Sequence, residues 1–344
     1  MTELCGHFPR EISENGHGRT FSSSLPQHLT MNAMTTTLHV IVPYRDRPSQ
    51  LAVFLPHMAA YFDRNGIADH VLWIVEQSDD DRPFNRGAVR NAGLREVLAA
   101  NGADERCVVC FHDVDTLPLV DGLPYGAPEP PFVVTHLYGH THCLGGVLCA
   151  HAGAIERASG YPNSLWGWGR EDALLEERVK RSAGGDAAID RRRLCERWVT
   201  GDFVEVPDDV DAAAWSPPRA GDEARAAALL GKKAFMALFQ RRVLSGEYGR
   251  VASRAKQLAA SDVDGAAADE SADTAAGDDG LRGLQYRVMR NEAGEGDRVR
   301  RVVVELLIVE DEDGARDDGR SGSGGGAEAA EVAVEVEPSE ESLD

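Results

Sequence analysis

Several signals are missing from this chain of 344 residues, and each absence excludes a class of protein. No stretch approaches the ~20 consecutive apolar residues of a membrane-spanning helix. No short apolar segment follows a basic start, so no secretory signal is visible either. The first apolar run leads into neither Gly-x-Gly-x-x-Gly nor a Walker loop, which argues against a dinucleotide or P-loop site. Cysteine is scarce: six in a chain this long do not make a disulfide framework. Basic residues are also short. Thirty-six Lys and Arg face 57 Asp and Glu, for a net charge of −21, the wrong sign for a nucleic-acid binder or for adsorption to an anionic membrane.

The acidic excess is segregated. Asp262, Asp264, Asp269, Glu270, Asp273, Asp278 and Asp279 fall in a segment without a base, and a second acidic run surrounds the Gly/Ser stretch 321–326. Together they carry about −17 of the charge, and runs of this kind stay solvated. The expected organisation is a disordered N-terminal segment (1–36), a catalytic domain (37–258), a disordered acidic linker (259–280), C-terminal strands returning to the domain (281–310) and a disordered acidic tail (311–344). With 42% apolar residues the chain has material for a sizeable core.

Within the domain, the apolar runs 37–42, 70–75 and 107–111 read as buried strands, and 49–64 and 89–100 carry apolar residues at helical spacing. Strand, helix, strand, helix, strand predicts an α/β fold with a mostly parallel sheet. Ligands bind such sheets beyond the carboxyl ends of the strands. The polar clusters there are Tyr44-Arg45-Asp46-Arg47, Phe84-Asn85-Arg86 and Asp113-Val114-Asp115, and they are expected to converge on one cleft. Forked guanidiniums suit a diphosphate, an aromatic face suits a base, and paired carboxylates suit a hard divalent cation that also touches phosphate. Cys107 and Cys110 mimic a metal-binding pair, but strand geometry points them to opposite faces. His136, His140, His142 and Cys143 are crowded without the spacing of a structural zinc site.

A second cluster is Gly145-Gly146, followed by Trp166-Gly167-Trp168-Gly169-Arg170-Glu171-Asp172. Tryptophans between flexible glycines suit a movable sugar-binding loop. Glu171 and Asp172 open a helix-like stretch, where they serve either as favourable acids at its N-terminus or as a carboxylate placed to take a proton from a sugar hydroxyl.

Val42-Pro43-Tyr44-Arg45-Asp46-Arg47, Phe84-Asn85-Arg86, His112-Asp113-Val114-Asp115, Gly145-Gly146 and Trp166–Asp172 occur in that order. In this the chain resembles the β1,4-galactosyltransferases, glycosyltransferase family 7, most of all their xylosylprotein subgroup. The resemblance runs from about Leu38 to Asp202 and resumes near Gly280–Val288. It implies a Rossmann-like GT-A fold and Mn²⁺-dependent, inverting transfer of galactose from UDP-galactose in β1,4 linkage to a glycan or proteoglycan-linker acceptor of xylose or GlcNAc type. By the same resemblance, Pro43, Tyr44, Arg45, Arg47, Phe84, Asn85, Arg86, Asp113, Val114, Asp115, Cys143 and Trp168 line the nucleotide-sugar site. Asp115 ligates manganese. Trp166, Gly169, Arg170, Glu171 and Asp172 meet the acceptor, with Asp172 the general base and Glu171 beside it.

The sequence departs from this pattern where the family has further histidine ligands, because no His follows His151. Glu205, Asp208 or Asp209 are the candidates to replace imidazole with oxygen. Cys143 stands where the family has Tyr, and Ala173 where it has an acid. A transferase using another donor such as UDP-GalNAc, and an inactive sugar-binding pseudo-transferase, are the alternative readings. The resemblance also implies Golgi residence behind an N-terminal anchor. None is visible, so membrane contact is expected only through a segment missing from this sequence, and the protein otherwise reads as soluble.

Overall fold

The computed structural model describes residues 36–102, 104, 106–199, 201–265, 279–294 and 298–307. The N-terminal segment, most of the acidic linker and the acidic tail lie outside the described residues. The fold is built on a nine-stranded mixed sheet. Its centre is β1 (Leu38–Tyr44), parallel to β2 (His70–Gln77) on one side and β3 (Val108–His112) on the other. Helix α1 (Pro48–Arg64) joins β1 to β2, and α2 (Arg86–Ala100) joins β2 to β3. These are the strands and helices the apolar runs predict. Strand β1 continues through Pro43 to Tyr44, one residue past the proline expected to close it.

These three strands carry apolar residues on both faces because both faces are covered. Ile41, Val109 and Phe111 pack into one core with α2, while Leu38, Val40, Val42, Val108 and Cys110 pack into the other with Phe54, Met58 and Phe62 of α1. Cys107 and Cys110 accordingly belong to opposite cores.

Beyond β3 the chain forms the short β4 (Thr116–Pro118). Then β5 (Val134–Gly139) and β6 (Val147–His151) extend the sheet, with β6 antiparallel to both β3 and β5. Helices α3 (Ala152–Arg157) and α4 (Glu171–Ala183) follow. The short strands β7 (Ile189–Asp190) and β8 (Cys195–Glu196) pair with β5, and β9 (Phe203–Glu205) pairs antiparallel with β4. Two further helices are α5 (Asp222–Leu244) and α6 (Glu247–Gly265), and α6 extends into the segment read as linker. Asp279 and Gly280 are also placed: the Asp279 carboxylate accepts from the Asn163 N–H, and the Gly280 carbonyl accepts from the Asn163 side chain. Finally β10 (Tyr286–Ala293) and β11 (Val299–Leu306) form a hairpin whose second strand lies parallel on β2. Among the described residues no helix is long and apolar enough to cross a membrane.

Candidate active site

The central strand order β2-β1-β3 reverses between β1 and β3, and the polar clusters at their carboxyl ends meet there. Arg86 and Arg90 lie one turn apart on α2, so their side chains share a face. Asn85 caps that helix by accepting from the Ala88 N–H at 3.0 Å. Arg86 reaches three carboxylates. Its Nε lies 2.7 Å from Glu171 Oε1, its Nη2 2.5 Å from Asp172 Oδ2 and its Nη1 3.2 Å from Asp113 Oδ2. Arg90 bridges two of them, with Nη1 at 2.8 Å from Asp172 Oδ1 and Nη2 at 2.6 Å from Asp113 Oδ1. Beside this network, Arg47 Nη1 donates to Asp115 Oδ2 at 2.7 Å.

The acids are differently tuned. Burial pushes Asp172 up to about 6, against the pull of Arg86 and Arg90 and with the help of Glu171 and Asp113. Burial also works to raise Asp113, but the two arginines outweigh it and hold its carboxyl below the usual range. Asp115 is raised by burial and then by the charges of Asp113 and Glu205, which Arg47 offsets only in part.

The turn under Asp172 is tightly specified. A Cβ on Gly145 would stand 2.5 Å from Asp172 Oδ2, so only glycine lets the carboxylate lie there. His136 Nε2 sits 2.9 Å from the Gly145 carbonyl and 3.1 Å from that of Tyr138. Both partners are acceptors, so Nε2 carries the proton, and burial keeps the ring neutral by lowering its pKa to about 4. Cys143 lies near Asp172, and burial pushes its thiol up to about 12, so it stays protonated.

Glu205, on β9, faces Thr116 across the β4–β9 pair, accepts from Tyr138 Oη at 2.9 Å and forms an ion pair with Arg197, whose Nε lies 2.5 Å away. Asp208 is largely exposed, accepts from Gln50 Nε2 at 3.0 Å and lies 3.6 Å from Arg47. Asp209 is exposed. Among the described residues no three His, Cys, Asp or Glu side chains are grouped to hold an ion unaided. The donor set nevertheless fits a hard divalent cation. Its members are carboxylates, the charges of Asp113 and Glu205 bear on Asp115, and phosphate and water oxygens can fill the remaining positions.

Other expected residues are placed apart from this network. Pro43 and Tyr44 are buried, Tyr44 within the core shared with α1. Arg45 turns to the β2–α2 loop, donating to the Arg82 carbonyl at 2.6 Å and pairing with Asp79 and Asp80. Phe84 and Trp166 pack against the α2-side core, with the Arg82 guanidinium 4.4 Å from the Trp166 ring centre. Val114 is buried in the other core. Trp168 meets Phe235 and Phe239 of α5 at 5.4 and 5.9 Å and lies under Arg242. Gly169 and Arg170 take left-handed backbone, and Arg170 is exposed at the N-cap of α4.

The residues that the sequence reading passed over are Arg90, Tyr138 and Arg197, and His136 was weighed only as part of a zinc-like cluster. Only Arg90 left a signal, a base four residues after Arg86 and so on the same face of the helix.

The chain is similar to known glycosyltransferases. The pattern for the N-terminal region of glycosyl transferase group 7 matches residues 25–127, and that for the N-terminal domain of galactosyltransferase matches residues 135–197. Mouse β1,4-galactosyltransferase 7 is 39% identical over 149 residues, covering 42% of this chain and 43% of the mouse protein. The Caenorhabditis elegans xylosylprotein 4-β-galactosyltransferase is 35% identical over 143 residues, covering 39% and 47%. The chain thus spans less than half the length of these relatives. The solved structure of a variant of Drosophila β1,4-galactosyltransferase 7, in complex with manganese, UDP-Gal and xylobiose, superposes with a TM-score of 0.52 at 21% identity, covering 80% of this chain and 95% of that one. The fold is that of the GT-A glycosyltransferases, and within residues 25–127 and 135–197 the chain is similar to glycosyltransferase group 7.

Proposed function

We propose that the protein is an inverting galactosyltransferase that moves galactose from UDP-galactose to a xylose-type hydroxyl in β1,4 linkage, with Mn²⁺. The observation that carries this reading is one ion-paired network joining Asp172, at the start of α4, to the acidic motif after β3. The group suited to take a proton and the group suited to sit beside phosphates are thereby fixed relative to each other. The matches to galactosyltransferases, two of them over less than half of the relatives' length, and the manganese and UDP-Gal in the Drosophila complex support the same reading.

In this mechanism Arg47 and Arg86 turn to the donor diphosphate, and Asp172 accepts the acceptor hydroxyl proton. The acceptor oxygen bonds to the anomeric carbon as the bond to the β-phosphate oxygen breaks, and UDP leaves with the electron pair. Attack opposite the leaving group inverts the centre. Asp115, with Glu205 nearby, would hold the cation, which when bound offsets the charge developing on UDP. Arg170, exposed at the mouth of α4, and Trp166 are the acceptor-side candidates.

Titration of UDP with and without Mn²⁺ tests the site. Asp115→Ala is expected to abolish the manganese-dependent part of UDP affinity, and unchanged affinity would place the metal elsewhere. A panel of UDP-sugars scored by UDP release separates UDP-galactose from UDP-GalNAc, and a protein that binds neither nucleotide is the pseudo-transferase.

A further inference from the structure

Arg90 has no solvent exposure, and it is the one arginine of the network with none. Its guanidinium lies 5.0 Å from the Tyr161 ring centre, and its Nε is a buried donor without a partner. A charge kept at this depth with one donor unsatisfied is costly to the fold, which directs attention to what its other two nitrogens hold. Nη1 takes Asp172 Oδ1 and Nη2 takes Asp113 Oδ1. The other oxygen of Asp172, Oδ2, is taken by Arg86, whose side chain is 24% exposed, and lies against Gly145. The two oxygens of the base are therefore held by arginines of different kinds. Arg86 reaches the cleft and can be drawn away by a diphosphate. Arg90 cannot reach solvent and stays.

Resting on the proposed transfer reaction, we infer that Arg90 is a positioning residue that fixes Asp172 by Oδ1 and leaves Oδ2 as the proton-accepting atom once the donor withdraws Arg86. The planar fork matters, because it spans Asp113 and Asp172 at once and so ties the base to the acidic motif beside the donor. A lysine in its place carries the charge but lacks that fixed geometry. The groups facing Asp172 are Arg86 and Arg90 from α2, Asp113 beyond β3, Glu171 from α4, Cys143 and Gly145 from the turn before β6, and the buried Tyr161.

The test compares Arg90→Met and Arg90→Lys with the wild type in the full chain. For Arg90→Met, kcat is expected to fall roughly 100-fold, the scale of a base displaced by about an ångström, while UDP affinity with Mn²⁺ is kept. The acid limb of the kcat profile should also move to higher pH. Arg90→Lys should keep the acid limb near its wild-type position but still lose kcat, and it is the variant to read if Arg90→Met does not fold. Carbon-13 titration of the Asp172 carboxyl, assigned by its loss in Asp172→Asn, should show the same upward movement in Arg90→Met whether or not the protein transfers galactose. A folded Arg90→Met with unchanged kcat, acid limb and carboxyl titration would reduce Arg90 to a structural ion pair. Normal carboxyl coupling in a protein that transfers no sugar would overturn the reaction and leave the pairing intact.

Discussion

At the N-terminus of α4, Asp172 combines a favourable helix position with an unfavourable burial, and burial prevails, raising it to about 6. This has a consequence for stability. An unfolded chain releases the Asp172 proton near the ordinary carboxylate value, while the folded chain keeps it to about 6. Between those values the folded state binds more protons, so this residue's contribution falls as pH rises. Denaturant melts of the wild type and Asp172→Asn from pH 4 to 7 should therefore diverge, with the wild type losing ground relative to the variant as pH increases. Parallel curves would mean that Asp172 titrates normally. Most of this site was legible in the sequence: Arg47, Arg86, Asp113, Asp115, Glu171 and Asp172 were all named and all meet. Arg90 was not named and His136 was weighed only as a zinc ligand, because burial of a base and the aim of a histidine at the Gly145 carbonyl are set by tertiary packing that no local pattern carries.

The element that differs most from expectation is the loop from Trp166 to Arg170. Gly167, Gly169 and Arg170 all have positive φ, so the two glycines supply conformations the tryptophans could not. The loop places Trp168 among Phe235, Phe239 and Arg242 of α5, and it places Trp166 beneath Arg82. A donor contact by Trp168 then requires the loop to move off α5. If it does so, UDP with Mn²⁺ should change the intrinsic tryptophan fluorescence, and Trp168→Phe should remove most of that change. An identical response in the variant would mean that Trp168 stays on α5 throughout. The first three strands and two helices were readable because continuous apolar runs and 3.6-residue spacing are local signals. The β4–β9 pair was not readable: it is two three-residue strands distant in sequence, and it is what brings Glu205 to Asp115.

Across the whole molecule, the sheet is completed by a hairpin that arrives after the acidic segment. Leu281, Leu284, Val302, Val304 and Leu306 enter the α2-side core, and β11 covers the edge of β2. Each such side chain contributes about 1.5–3 kcal/mol by burial, and their sum rivals the ~5–15 kcal/mol stability of an ordinary domain. A chain ending at Gly265 should therefore lack a cooperative melting transition and aggregate through the bared β2 edge. A sharp transition near that of the full chain would show that the hairpin is an accessory. The segregation of charge has the same whole-chain logic. About −17 of the −21 lies in the two acidic segments, and the guanidiniums of the site that reach its surface include Arg47 and Arg86, which suits an anionic donor.

The account turns on Asp172 as the base of a galactosyl transfer. The most direct measurement is mass spectrometry of a simple β-xyloside incubated with UDP-galactose, Mn²⁺ and either the wild-type chain or Asp172→Asn, with UDP binding titrated in parallel. The prediction is a galactosyl-xyloside from the wild type and a loss of roughly 10²–10⁴-fold in the variant, with UDP affinity retained. Equal product from both proteins, or none from a wild-type chain that binds UDP and Mn²⁺, would contradict it.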